Sequence, residues 1–250
     1  MRPTSLHLVA HAHTAALRRA VFGGGDDSLD PAGLAAARAL ALTGPGRRGP
    51  FGRIDACLST PAEAGRQTGY ALGLRPAPVP DLADCDYGRW AGLSLAEVAA
   101  REPEALRDWL GTPDAAPHGG ESVDMLLDRV DRWLTGQRDR GGRVVAVTHA
   151  VVVRAALVRA LRLPTATFWR LEVAPLAVVR LTGRGPGWQL RLTAPPHADV
   201  PDSADVPDRA DIADRVDGAD VADRADGANR ADGADWADRA DGEERADRRV

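Results

Sequence analysis

Apolar and polar positions alternate in two different periods along residues 1–196, and in neither period beyond them. Short apolar-rich runs at 5–10 (SLHLVA), 53–59 (RIDACLS) and 143–149 (RVVAVTH) predict strands, and the third is apolar on successive positions, as in a strand covered on both faces. Helical spacing follows each of them. Asp30 is placed as an N-cap with Pro31 at the first helical position of a long apolar helix. Thr60, Pro61 and Glu63 are arranged as a capping box, and Ser94 and Glu97 as another behind Leu93. Val123, Leu126, Leu127, Val130, Trp133 and Leu134 lie one helical turn apart, in a helix expected to end near Gly136. Residues 150–161 continue as a helix, and 168–183 and 187–194 read as closing strands. Strands alternating with helices predict an α/β fold, a three-layer sandwich with a mostly parallel central sheet flanked by helices.

From Asp199 to Asp247 an acidic residue or its amide recurs at every third position. A period of three builds neither an apolar helix face nor a half-buried strand. Ala, Asp, Arg and Gly bury too little apolar surface to offset ordering entropy, so disorder is expected there. The domain division is therefore 1–196, globular, and 197–250, a low-complexity tail.

Charge follows the same boundary. The tail holds 17 acids and 8 arginines, and the body 24 arginines and 19 acids. The mildly basic body shows no clustered patch, so no nucleic-acid partner is expected. The chain contains no lysine. Cys57 and Cys85 are too few for a disulfide framework and lack metal-ligand spacing. The longest apolar run, 144–163, carries His149, Arg154 and Arg159, which are costly at mid-bilayer. Three histidines interrupt the N-terminal apolar stretch and argue against a signal peptide. These features predict a soluble, cytoplasmic protein with no membrane partner; they leave the oligomeric state open.

Two histidines share one context: His11 in LVAHAHT and His149 in VVAVTHAVVV each follow an apolar strand and precede a helix. Ligands of open α/β sheets bind beyond the carboxyl ends of strands, where helix N-terminal N–H groups attract anions. The His11-x-His13 pair also admits a metal-hydrolase reading. That reading needs an eightfold barrel, and only about five βα-type units are legible here.

The chain resembles the histidine phosphatase superfamily, the phosphoglycerate-mutase-like fold, over roughly residues 6 to 195. LVAHAHT matches the opening motif at Leu8, Val9, His11 and Thr14; DSLDPAG keeps Asp27, Leu29 and Gly33; STPAEAGRQT keeps Ser59, Pro61, Gln67 and Thr68. LADCDYGRWAGLSLAEV places Asp84 at the family's acid/base carboxylate, and GGES and VVAVTHAVVVRAAL complete the series. The resemblance implies a phosphatase-like hydrolase acting on a small phosphomonoester through a phosphohistidine on His11. Asp84 is implied as acid and base, and His149 as a donor to the phosphoryl oxygens. It implies neither metal nor other cofactor. Alanine stands at 10 and 64 where the resemblance implies arginines, at 12 and 150 where it implies glycines, and Asp84 is one methylene shorter than the family's glutamate. Two lost arginine–phosphate contacts are worth about 3–6 kcal/mol. Arg18, Arg19, Arg66 and Arg154 are the candidate replacements, with Arg18 ranked first. Thr14, Ser59, Arg18 and Arg66 complete the expected phosphate and substrate site. The alternative is a catalytically weak member that binds a phosphorylated metabolite or partner without turnover.

Overall fold

The computed structural model describes residues 2–23, 27–42, 50–184 and 187–192, so the repeat tail and its expected disorder lie outside the described residues. Six strands form one sheet: β1 (Thr4–Ala10), β2 (Ala56–Ser59), β3 (Ala77–Pro78), β4 (Gly142–Thr148), β5 (Val178–Arg184) and β6 (Gly187–Arg191), in the order β3-β2-β4-β1-β5-β6. The first four in that order run parallel, and β5 and β6 are antiparallel additions at one edge. The helices are α1 (Ala15–Arg18), α2 (Pro31–Ala41), α3 (Glu63–Ala71), α4 (Leu95–Arg101), α5 (Pro103–Gly111), α6 (Val123–Arg138) and α7 (Ala150–Ala160).

Strand alternation explains the three layers. Leu6, Leu8, Val144 and Ala146 point to one face and pack with the buried stripes of α6 and α7. Val9, Val145 and Val147 point to the other, against Phe51, Leu72 and Leu40 of the α2–α3 layer. All six apolar positions expected on α6 are buried. β4 lies between β1 and β2, which is why its apolar run is continuous.

Two caps behave as the residue types predict. Asp30 accepts from the Gly33 N–H ahead of Pro31, and Ser94 and Glu97 form a complete capping box. Other expectations are corrected. Thr60 does not cap α3; Ala62 does so without a side-chain bond, and the Thr60 hydroxyl is turned towards His149. Residues 168–177 form no strand: Thr165–Arg170 is a 3-10 turn that buries Phe168 and lays Trp169 against Trp109. Pro175 supplies no N–H for a ladder there. The helix α6 runs past Gly136 to Arg138, and α5 was not anticipated. The open sheet with an antiparallel edge excludes the eightfold barrel that a metal-hydrolase reading requires. No helix among the described residues is long and apolar enough to cross a membrane.

Candidate active site

β1 and β4 are paired in parallel with Ala10 opposite Thr148, so both chains leave the sheet at the same level. The next residue of each strand is a histidine. The His11 N–H donates to the Thr148 carbonyl (2.8 Å), which holds the exit from β1 against β4. The two imidazoles meet edge to face, with centroids 4.9 Å apart.

Each ring is oriented by its neighbours. His11 Nδ1 lies 2.8 Å from the Ala12 carbonyl oxygen. A carbonyl only accepts, so Nδ1 carries the proton and the lone pair of the neutral ring sits on Nε2. The loop behind it is tied down where the Ala12 N–H donates to Thr68 (3.0 Å). At Gly33 a Cβ would lie 2.3 Å from the His13 carbonyl oxygen, so only glycine lets α2 approach this loop. His149 is the N-cap residue of α7; its Nε2 is 3.2 Å from the Thr60 hydroxyl and its Nδ1 3.4 Å from Asp84. Gly65 serves that contact, because a Cβ there would meet Thr60 Cγ2 at 2.2 Å.

Asp84 sits on an irregular segment fastened from below. Arg129 on α6 donates to the carbonyls of Asp81, Ala83 and Asp84 and pairs in bidentate fashion with Glu121. Thr148 donates to the Leu82 carbonyl (2.7 Å). The carboxylate accepts from the Cys85 N–H (2.9 Å) and from the Tyr87 hydroxyl (3.4 Å).

The electrostatics of the trio are dominated by burial. Burial, followed by the charge of Arg129, lowers the His149 pKa to about 4. Burial and the neighbouring His149 also lower His11, against the opposing pull of the Ala12 carbonyl, Asp27 and Asp84. Burial raises Asp84 to about 6 even though the Cys85 N–H, His11, Tyr87 and Arg129 oppose the shift. Near pH 6 the site therefore offers a neutral His149 and a half-protonated Asp84, beside a His11 whose burial favours the uncharged ring.

Two cavities open from the trio. The smaller, about 380 Å³, is lined by Thr14, Asp27, Thr60 and Glu63 as well as by His11, His149 and Asp84. The larger, about 610 Å³, runs past Tyr87 and Trp109 to Trp169. Arg154 lines this second cavity; its Nε is buried without a hydrogen-bond partner among the described residues, and burial lowers its pKa. It is the only guanidinium among the described residues lining either cavity.

The structure thus brings together His11, His149, Asp84 and Thr14, though the Thr14 hydroxyl is engaged in capping α1. The other expected substrate contacts lie elsewhere. Arg18 is half-exposed and paired with Asp30 (2.5 Å), and Arg66 is paired with Glu63 on the outside of α3. Ser59 is fully buried at the end of β2, and neither it nor the two arginines lines either of these two cavities. Thr60 takes the place expected for Ser59, because the chain turns out of the strand one residue later. Thr60, Tyr87 and Arg129 are site residues that the sequence motifs did not single out. His13 lines the larger cavity. Among the described residues, no group of three or more His, Cys, Asp or Glu is placed to hold a metal ion.

Comparison with known proteins agrees with this geometry. The Histidine phosphatase superfamily (branch 1) profile matches residues 6–194. The bifunctional protein Rv2228c of Mycobacterium tuberculosis is 32% identical over 194 residues, covering 73% of this chain and 52% of that protein. The chain thus spans about half the length of that relative. A metal-independent phosphoserine phosphatase of Arabidopsis thaliana is 39% identical over 85 residues, 32% of this chain and 36% of its own. In fold, a mycobacterial glucosyl-3-phosphoglycerate phosphatase superposes with a TM-score of 0.64 at 24% identity, covering 75% of this chain and 97% of its own. Strand-end histidines, a parallel sheet and a match along nearly the whole described chain make this protein a member of the histidine phosphatase superfamily, branch 1.

Proposed function

We propose that the chain hydrolyses a small phosphomonoester through a phosphohistidine. The observation that carries this reading is the Ala12 carbonyl bond to His11 Nδ1, which leaves Nε2 as a neutral nucleophile beside Asp84 and His149. His11 Nε2 attacks phosphorus; the N–P bond forms as the ester P–O bond breaks, and protonated Asp84 delivers its proton to the departing alkoxide. The alcohol leaves. Asp84, now a carboxylate, takes a proton from water as the water oxygen attacks phosphorus and the N–P bond breaks. Inorganic phosphate is released and His11 returns to its neutral form.

His149 and the first N–H groups of α7 face the phosphoryl oxygens in this scheme. Arg154 supplies the cation. It sits one turn beyond the N-terminus of α7, and helical side chains lean back towards that end. Arg18 and Arg66 are left to their surface ion pairs. Two free cysteines accord with a cytoplasmic setting, which belongs to the same proposal.

A second reading is favoured by one observation. With the His149 pKa lowered to about 4, burial opposing charge on His11 and a single guanidinium lining the cavities, little positive charge meets a phosphate dianion. On that reading the chain binds a phosphorylated molecule without turning it over. An assay of released phosphate across a panel of phosphomonoesters, with wild type beside His11→Ala, separates the two. Turnover that disappears in the variant is expected. Turnover equal in both proteins, or ester binding without turnover in either, overturns the catalytic scheme.

A further inference from the structure

The larger cavity differs in chemistry from the site that it adjoins. Its walls beyond the trio are Phe22, Tyr87, Trp109 and Trp169, with aliphatic side chains such as Leu17 and Leu110 at the rim. Apart from His13, Arg154 and the Tyr87 hydroxyl, the lining beyond the trio carries no polar side chain of the Ser, Thr, Asn, Gln, Glu or Asp type among the described residues. A volume of about 610 Å³ is ample for a drug-sized ligand.

The aromatic wall is also preformed. Trp109 lies edge to face with Trp169 (4.9 Å between centroids) and with Phe22 (5.9 Å), and also packs on Tyr87 and His118. Rings locked in this way need no ordering when a ligand arrives. A polar alcohol would find few partners here. The ammonium of serine would meet the Arg154 cation with no carboxylate beyond Asp84, and each sugar hydroxyl would give up water for apolar carbon. Curated relatives include a phosphoserine phosphatase and a glucosyl-3-phosphoglycerate phosphatase, both named for polar esters.

We infer that the substrate is the phosphate monoester of a bulky apolar alcohol, with the phosphoryl group at His11 and the apolar body against the Trp109–Trp169 wall. The inference rests on the phosphatase reading, which supplies the orientation of the ester. Primary-alcohol esters with similar leaving-group basicity separate fit from intrinsic reactivity. We expect kcat/KM for 2-(2-naphthyl)ethyl phosphate to exceed that for ethyl phosphate by about 30-fold or more, and phosphoserine to be no better than ethyl phosphate. Trp169→Ala should cut the naphthyl-to-ethyl ratio by about 5-fold or more. Leu110→Gln, on an exposed position, should lower the same ratio should the tryptophan variant not fold.

A ratio near one in wild type, or a preference for phosphoserine, overturns the inference while leaving the phosphatase reading intact. With no turnover of any ester, calorimetry with the corresponding naphthylethyl and ethyl phosphonates decides. Tighter binding of the naphthyl compound supports the apolar cleft and sinks only catalysis; equal binding, or none, rejects the cleft assignment.

Discussion

The two flanks of the histidine pair differ in what they keep. On the β1–β2–α3 side alanines occupy positions 10, 12 and 64, the hydrogen-bonding groups beside the histidines are uncharged (the Ala12 carbonyl, Thr60 and Thr68), and the charged cavity-lining groups, Asp27 and Glu63, are acidic. On the α6–α7 side, charge remains in quantity, with Arg129 bound to Glu121 and Arg154 in the cavity wall. Arg129 is spent on the carbonyls of Asp81, Ala83 and Asp84 and so positions Asp84 without lining either cavity. The contrast teaches that proton-transfer geometry and phosphate-neutralising charge are separable parts of such a site. On the proposed mechanism the first rests on His11, Asp84 and His149, and the second on the one guanidinium lining the cavities among the described residues.

The largest effect expected is on the uncharged flank. His11→Ala should lower kcat by about 10³-fold or more in the phosphate-release assay, since no other lining imidazole has its proton fixed on Nδ1 by a carbonyl. A smaller loss would mean that the pair is not the reacting centre.

Asp84→Asn, on the boundary between the flanks, should cost about 10²–10⁴-fold in kcat. It carries a second signature. A pKa raised from 3.8 to about 6 means that the folded state holds its proton more tightly than the unfolded chain. Stability is therefore lost as pH rises from about 4 to about 6, at most about 3 kcal/mol for this group. Asparagine escapes that penalty, so the variant should melt higher than wild type at pH 8, and the difference should vanish near pH 4. In wild type, kcat/KM should fall as pH rises through about 6, where the acid is lost. A flat profile from pH 5 to 8 would remove Asp84 from the proton-transfer role.

Arg154→Ala tests the charged flank directly. Losing one or two charge-assisted hydrogen bonds predicts a fall in kcat/KM of about 10–100-fold. An effect below about 3-fold would show that the neutral groups carry the phosphate unaided. The smallest effects belong to Arg18→Ala and Arg66→Ala. Both arginines are exposed and engaged with Asp30 and Glu63, so each variant should stay within about 2-fold of wild type. A large loss in either would place a surface guanidinium at the substrate.

Much of this was legible from residue order. His11 and His149 were marked by identical strand–histidine–helix contexts, and α6 by six apolar positions at helical spacing, all of them buried. Asp84 came from a motif, and no periodicity would have found it, because its segment is irregular. Among the arginines, proximity in sequence favours Arg18, while the larger cavity is lined by Arg154, a helical residue whose side chain leans back along α7. Ser59 and Thr60 were exchanged by a single residue, the distance at which a strand's inward and outward faces swap. The tryptophan wall joins Trp109 of α5 to Trp169 of the 3-10 turn, 60 residues apart, and no local pattern encodes such a meeting.

The parallel pairing of β1 with β4 has a consequence for how activity arises. Ala10 and Thr148 are opposite one another, with most of the described chain lying between them. Neither histidine has its partner until that pairing closes, and closing so long a loop is entropically slow. The emerging chain thus passes through synthesis with the proposed nucleophile, His11, made early and without its partner. On the proposed mechanism, chemical competence arrives with the last parallel strand, β4.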